Sequence, residues 1–260
     1  PSFTLVNNAE THQMVLSGQG DQQLDVLVSK LKSRFGVDAE LMPAKIAYRE
    51  KIKKTVEAHG RHKKQTGGSG QFGDVWIRFS PQEEQDELIF DVEVVGGAVP
   101  KNFNPAVEKG IQEAILKGPL AGYPMVGLKA VLYDGSYHPV DSNEMAFKMA
   151  AILAYKEAMP NAMPTLLEPV GSLAVTIPDS YMGDVIGDLN KRRGRIMGMN
   201  PDNKGNTVVD AEVPMAEMAT YAIDLRAMTQ ARGSFTLTFE RYEEVPKQCQ
   251  DKIIADAKND

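Results

Sequence analysis

Apolar and polar positions change period several times along the chain, and each change marks an element. Residues 2–6 (SFTLV) and 13–18 (QMVLSG) flank the turn-forming stretch NNAETH and predict two strands. In 20–36 the apolar residues Leu24, Leu27, Val28 and Leu31 recur at helical spacing, with Asp21 placed to cap the helix and Gly36 just past its end. Residues 37–42 (VDAELM) then predict a strand before Pro43. A helix on about three strands covers only part of a core. Residues 1–43 therefore read as half of an α/β sandwich, cut at its N-terminal side, with an uncovered apolar helix face and loose packing.

Residues 44–165 read as a second unit. YREKIKKTVEAHGRHKKQ and DVWIRFSP predict strands on either side of a glycine-rich loop, and LIFDVEVVGG (88–97) predicts another. The stretch 104–119 carries helix signals, with Asn104 suited to the N-cap, Pro105 to the first turn and Gly118-Pro119 to the stop. VGLKAVLYDGSYHPV (126–140) predicts a strand running into an exposed loop. In the helix predicted over 141–159, Asp141 and Glu144 have capping-box spacing. Residues 168–245 hold a near-repeat in which each half runs strand, Pro, helix, basic residues, Arg-Gly, strand. Pro178 and Pro214 mark its strand ends, and Gly194 and Gly233 suit helix C′ positions. Lys191, Arg192 and Arg193 suit the C-terminal end of a helix dipole. Two such βαβ halves make a ferredoxin-like sandwich, and a tail helix follows from about Pro246. The fold class is thus α+β: sandwich units at 1–43 and 168–245, a further unit at 44–165 and a C-terminal helix at 246–260.

Composition narrows the setting. The 260 residues are 42% hydrophobic, ample for a core, with no basic leader and no apolar run of membrane-spanning length. The lone Cys249 cannot form an internal disulfide, which suits a reducing cytosol, and the thirteen Met residues suit core gap-filling. Residues 45–64 hold eight Lys/Arg against two Glu, a local +6 on a chain of net charge −6, and the acidic stretch 81–93 follows soon after. Such a basic segment fits an anionic partner such as RNA. It equally fits a solvated strand edge.

GGSGQFGDV (67–75) carries Gly68, Gly70, Gly73 and Val75 in the G-x-G-x-x-G-x-V spacing of a kinase phosphate loop. The chemistry that must accompany it is missing. No strand Lys, H-R-D or D-F-G motif occurs, a strand rather than a helix follows, and there is no G-x-x-x-x-G-K-[ST]. Asp134, His138, Asp141 and Glu144 cluster in DGSYHPVDSNE, but no second His or Cys lies nearby to complete a metal site. His12, His59 and His62 read as surface residues on or beside strands. No catalytic set and no metal site emerge from the residues. A binding tip does: Gln71 and Phe72 at the apex of the glycine loop, Lys63 and Lys64 on a basic strand beside it, and the His138 loop if it lies at the same sheet end. An ordinary hairpin turn remains the alternative reading.

Several segments resemble translation elongation factor G in the family's own order. HKKQTGGSGQFGDVWIRFSP is similar to its H-x-K-Q-x-G-G-x-G-Q-[YF]-G segment. YDGSYHPVDSNEMAFKMA, LEPVGSLAVTIPDSYMGDVIGDLNKRRGRIMGM and PMAEMATYAIDLRAMTQARGSF resemble three further signatures. The resemblance covers most of 44–245 and implies an architecture: 1–43 as the second half of domain III, 44–165 as domain IV with a left-handed βαβ crossover, and 168–245 as domain V. The GTPase domain, with its GTP and Mg, is expected before residue 1, so this chain itself needs no cofactor. The implied partner is the ribosome, through ribosomal RNA and the tRNA–mRNA pair of the decoding centre, with no membrane and no small-molecule substrate, in the cytoplasm. Carried over position by position, the tip is Gly67, Gly68, Ser69, Gly70, Gln71, Phe72 and Gly73, with Ser136, Tyr137 and His138 on a second loop and basic support from Arg61, Lys63 and Lys64. Ser69 stands where the family commonly carries Arg, Pro139 where an acidic residue is common, and GDVW is similar to a second-copy branch. A paralogue acting in ribosome recycling or protection is the alternative these departures imply.

Overall fold

Strands β1 (Thr4–Asn8) and β2 (Gln13–Ser17) pair antiparallel, Asn8 opposite Gln13. Asn8 closes the turn by accepting from the Glu10 and Thr11 N–H groups, the Asx geometry that makes Asn a turn residue. Helix α1 (Asp21–Phe35) follows. Asp21 is not its cap. Gly20 holds that position with no side-chain bond, and Asp21 is the first helical residue, where its charge meets the positive end of the dipole. Gly36 ends the helix at φ 65. No residue of α1 is buried, and Val26, Leu31 and Phe35 stand exposed, so the expected uncovered face is present. The strand expected at 37–42 does not form. Strands exist by pairing, and none of the described residues pairs with this segment.

These elements belong to a computed structural model that describes residues 3–18, 20–65, 70–202 and 204–259. The chain divides into two units, Pro1–Ala47 with Glu168–Glu243 and Tyr48–Leu167 with Glu244–Asp260.

The second of these units is built on β3 (Arg49–Ile52), β4 (Val56–Lys64), β5 (Gln71–Pro81), β6 (Ile89–Val92), α2 (Asn104–Ala114), β7 (Leu128–Ser136) and α3 (Glu144–Ala158). Its sheet runs β4-β5-β7-β6, antiparallel except for the parallel β6–β7 pair that α2 connects. Alternation assigns the faces. Val75, Ile77 and Phe79 are buried against the helices with Ala58, Ala130 and Leu132, while Trp76 and Arg78 occupy the opposite face. The helix α3 lies close because its inner face is alanine (Ala146, Ala150, Ala154) and the strands beneath carry glycine. A β-carbon on Gly60 would overlap the Ala150 carbonyl oxygen, and one on Gly73 would sit 2.7 Å from the Phe147 nitrogen. Gly73 is thus a buried strand residue beneath a helix, which corrects its assignment to the exposed tip.

Two cap assignments are also corrected. A 3-10 turn at Lys101–Phe103 has already begun to coil the chain, so Asn104 is the first residue of α2 rather than its cap. At α3 the cap is Asn143, whose side chain accepts from the Ala146 N–H (2.8 Å). Asp141 is engaged elsewhere.

Strand β8 (Pro164–Pro178) pairs at its start with β3, Leu167 opposite Arg49. Beyond it come α4 (Met182–Lys191), β9 (Arg195–Pro201), β10 (Asn206–Pro214), α5 (Tyr221–Met228) and β11 (Ser234–Glu244). Their sheet order, β11-β8-β10-β9, is the ferredoxin-like arrangement that the near-repeat predicts. Val185 and Leu189 of α4 and Tyr221 and Leu225 of α5 are buried with Leu173, Val175, Val209 and Val213 of the sheet. The repeat glycines are not left-handed caps. That conformation falls on Arg193 (φ 61) and Ala231 (φ 63), while Gly194 and Gly233 leave room for Leu189 O and the Thr229 side chain. Nor do the arginines simply face the dipole. Arg192 pairs with Asp188 (2.7 Å) and Asp224 (2.5 Å), and Arg193 grips buried Glu168 with its two terminal guanidinium nitrogens (2.7 and 2.9 Å). Tail helix α6 (Lys247–Asn259) groups with the 48–167 unit, where Gln250 donates to Thr165 (2.8 Å).

Candidate nucleic-acid interface

Gln71 and Phe72 are the first residues of β5, paired with Lys64 and Lys63 across the ladder, so they lie at the strand end rather than at a loop apex. Gly67, Gly68 and Ser69 lie outside the described residues. Ser136 ends β7 opposite Asp74, and the segment 137–143 then leads into α3. Register alone therefore carries the two predicted tip segments to one end of the sheet.

Three hydrogen bonds join them, and a fourth braces the second segment. Gly70 N–H donates to Asp141 Oδ1 (3.0 Å), and Phe72 N–H donates to the Asp141 carbonyl (2.8 Å). Ser142 Oγ donates to the Phe72 carbonyl (2.9 Å) and accepts from the His138 N–H (2.8 Å). Sequence reasoning missed Asp141 and Ser142 here, because the spacing of Asp141 to Glu144 imitates a capping box while the actual partners are some seventy positions earlier.

Side chains complete the surface. The Phe72 ring meets His138 edge-on at 6.4 Å between centroids, and the Arg61 guanidinium lies 5.5 Å over the Phe72 ring. Gln71 Oε1 is 2.9 Å from His62 Nε2, which fixes the Gln71 amide and makes His62 a half-buried partner rather than a free surface residue. Tyr137, His138, Lys63 and Lys64 are exposed. Along the outer sheet face, Asp74 receives His59 (3.1 Å) and Arg61 (3.7 Å), and the His59 ring stacks on Trp76 at 4.4 Å. Further along, Arg78 bonds Glu57 (3.0 Å), which raises the Arg78 pKa. Burial, followed by the Glu57 charge, raises that of Tyr133.

The basic run divides. Arg49 pairs with Asp86 and Lys53 with Glu244, so two of the eight basic groups are compensated away from the tip, while Lys63 and Lys64 stay at it. The arrangement offers hydrogen-bonding groups, two exposed rings and cations at one sheet end, suited to nucleotide edges, bases and phosphates. Among the described residues no group of three or more His, Cys, Asp or Glu could hold a metal ion. Asp134 accepts from the Gly135 N–H, and Glu144 opens α3. Also among the described residues, no helix is long and apolar enough to cross a membrane.

Comparison with known proteins shows the family of the chain. The family model for elongation factor G domain IV matches residues 44–163, that for the elongation factor G C-terminus matches 165–253, and that for domain III matches 1–43. A crystal structure of a protein from Thermus thermophilus is similar at a TM-score of 0.88 and 43% sequence identity, covering 99% of this chain and 38% of that one. The chain therefore spans well under half the length of that relative. With all three domain models matched in order, the chain belongs to the elongation factor G family and carries the family's C-terminal portion.

Proposed function

We propose that this chain is the ribosome-engaging part of a cytoplasmic translational GTPase and that the joined tip enters the decoding centre to promote tRNA–mRNA translocation. The observation that carries this reading is the clasp between the two segments. It holds Gln71, Phe72 and His138 together, with Lys63 and Lys64 beside them, at one end of a four-stranded sheet. A tip of this kind acts sterically and through hydrogen bonds. It makes and breaks no covalent bond, and the energy comes from GTP held with Mg by a domain preceding this portion. Lys63 and Lys64 serve by meeting phosphates, so binding weakens as salt rises.

The test is single-round translocation by the full-length protein carrying Gln71→Ala or His138→Ala. Slowed translocation with ribosome-stimulated GTP hydrolysis intact supports the reading. Wild-type rates in both variants overturn it. A second reading, a paralogue acting in ribosome recycling or protection, is favoured by Ser69 at a position where the family commonly carries Arg. Intact protein that sustains polypeptide synthesis as sole translocase counts against it.

A further inference from the structure

We propose that Asp141 is the positioning residue that locks the two tip segments into one binding unit, an inference that rests on the function proposed above. One residue makes three connections. Its Oδ1 accepts from the Gly70 N–H (3.0 Å), its Oδ2 lies 3.3 Å from His138 Nδ1, and its carbonyl accepts from the Phe72 N–H (2.8 Å). It thus touches both sides of the tip, and a ring of each side, Phe72 and His138, is held in edge contact beside it.

Two observations show that the fold is built around this carboxylate. A β-carbon on Gly70 would lie 2.9 Å from the Asp141 carboxyl carbon and Oδ1. A side chain at 70 therefore displaces the carboxylate from its place against the Gly70 N–H. Asp141 also has no duty as a helix cap, since Asn143 performs it. Among the described residues the polar neighbours of the His138 ring all lie at Nδ1, Asp141 Oδ2 when that nitrogen carries the proton and the Val140 and Asp141 N–H groups when it does not, which leaves Nε2 for a ligand. Removing the carboxylate frees the Gly70 end of β5 and the His138 ring together.

The experiment uses the full-length protein. Asp141→Ala is expected to slow single-round translocation on the order of tenfold, with GTP hydrolysis unchanged, because loosening of a positioned group by about an ångström costs that much or more. Asp141→Asn keeps an oxygen for the Gly70 N–H and is expected to restore most of the rate. Gly70→Ala displaces the carboxylate and should match Asp141→Ala, and the double variant should be no slower than the slower single. Multiplying losses in the double variant, or a wild-type rate in Asp141→Ala, overturns the proposal. Hydrogen exchange provides an independent readout. In Asp141→Ala the Gly70 amide should exchange on the order of tenfold faster while Val75 and Ile77 in the same strand keep their protection, and unchanged exchange at Gly70 also overturns it. If Gln71→Ala and His138→Ala leave translocation intact, the functional reading fails and the exchange result still judges the clasp. If they slow it and Asp141→Ala does not, the clasp alone fails.

Discussion

Gly118 leaves the space that the Glu50 carboxylate fills: a β-carbon on Gly118 would overlap that carboxylate and lie 2.6 Å from the Tyr123 carbonyl oxygen. Glu50 is fully buried, and the loop after α2 wraps it, donating from Leu120 (2.8 Å), Ala121 (2.9 Å) and Tyr123 (3.1 Å). Gly118→Ala should therefore destabilise the arm by roughly 2 kcal/mol or more, since it pushes a buried carboxylate off its donors. Glu50→Gln should also destabilise, because an amide NH2 would face one of the N–H donors. Urea unfolding followed by Trp76, the chain's single tryptophan and part of this arm, checks both.

Two glutamates should give opposite pH signatures. Burial raises the Glu50 pKa above 4.5, and the backbone N–H bonds only partly offset it. The folded state then binds more protons than the unfolded one, so this contribution is fully present below the ordinary value and is lost as pH rises through the raised one. Glu212 is the reverse. The Arg241 fork (2.8 Å at each oxygen), followed by Arg195, lowers its pKa from 4.5 to about 2. That contribution is present above the ordinary value and is lost as pH falls toward about 2. Unfolding measured across acid pH should show both slopes, and Glu212→Gln should reduce the second alone, the remainder coming from Asp202, Asp224 and Glu244, whose pKa values are also lowered by their hydrogen bonds.

The glycines under α3 should be intolerant. Gly60→Ala and Gly73→Ala press a methyl group into helix backbone, with cost at or above the top of the ~1–3 kcal/mol overpacking range. Gly36→Ala meets no atom within 4 Å and should cost only about 1–2 kcal/mol, for its φ of 65. Thermal melts of the three variants test the ranking.

In the ferredoxin-like unit, Arg193→Ala should cost on the order of 3–5 kcal/mol, because it strands the carboxylate of Glu168, a residue 3% exposed. Arg193→Lys should recover only part, since an ammonium cannot reproduce the two-nitrogen grip. Denaturant midpoints separate the two.

Asn143→Ala should lower stability by about 1 kcal/mol through loss of the α3 cap. Circular dichroism melts of Asn143→Ala measure this loss and confirm which residue caps the helix.

Local pattern was enough for much of this protein. Alternation in 74–81 predicted a strand that the structure extends back to Gln71, helical spacing placed α1, and the repeated strand-Pro-helix order disclosed the ferredoxin-like unit, since each depends on residues a few positions apart. The missing partners of the glycine loop were likewise legible as absent motifs, and the signatures pointed to the elongation factor G family. What tertiary structure decided was which distant groups meet. Asp141 has the spacing of a cap yet bonds Gly70, and Gly73 belongs to a glycine-rich motif yet serves α3. The segment 37–42 has the pattern of a strand yet finds no partner among the described residues. Glu50, in a basic run, binds a loop seventy residues later. Close approach and hydrogen bonding between segments far apart in the chain leave no period in the sequence around either partner, so only the folded arrangement reveals them.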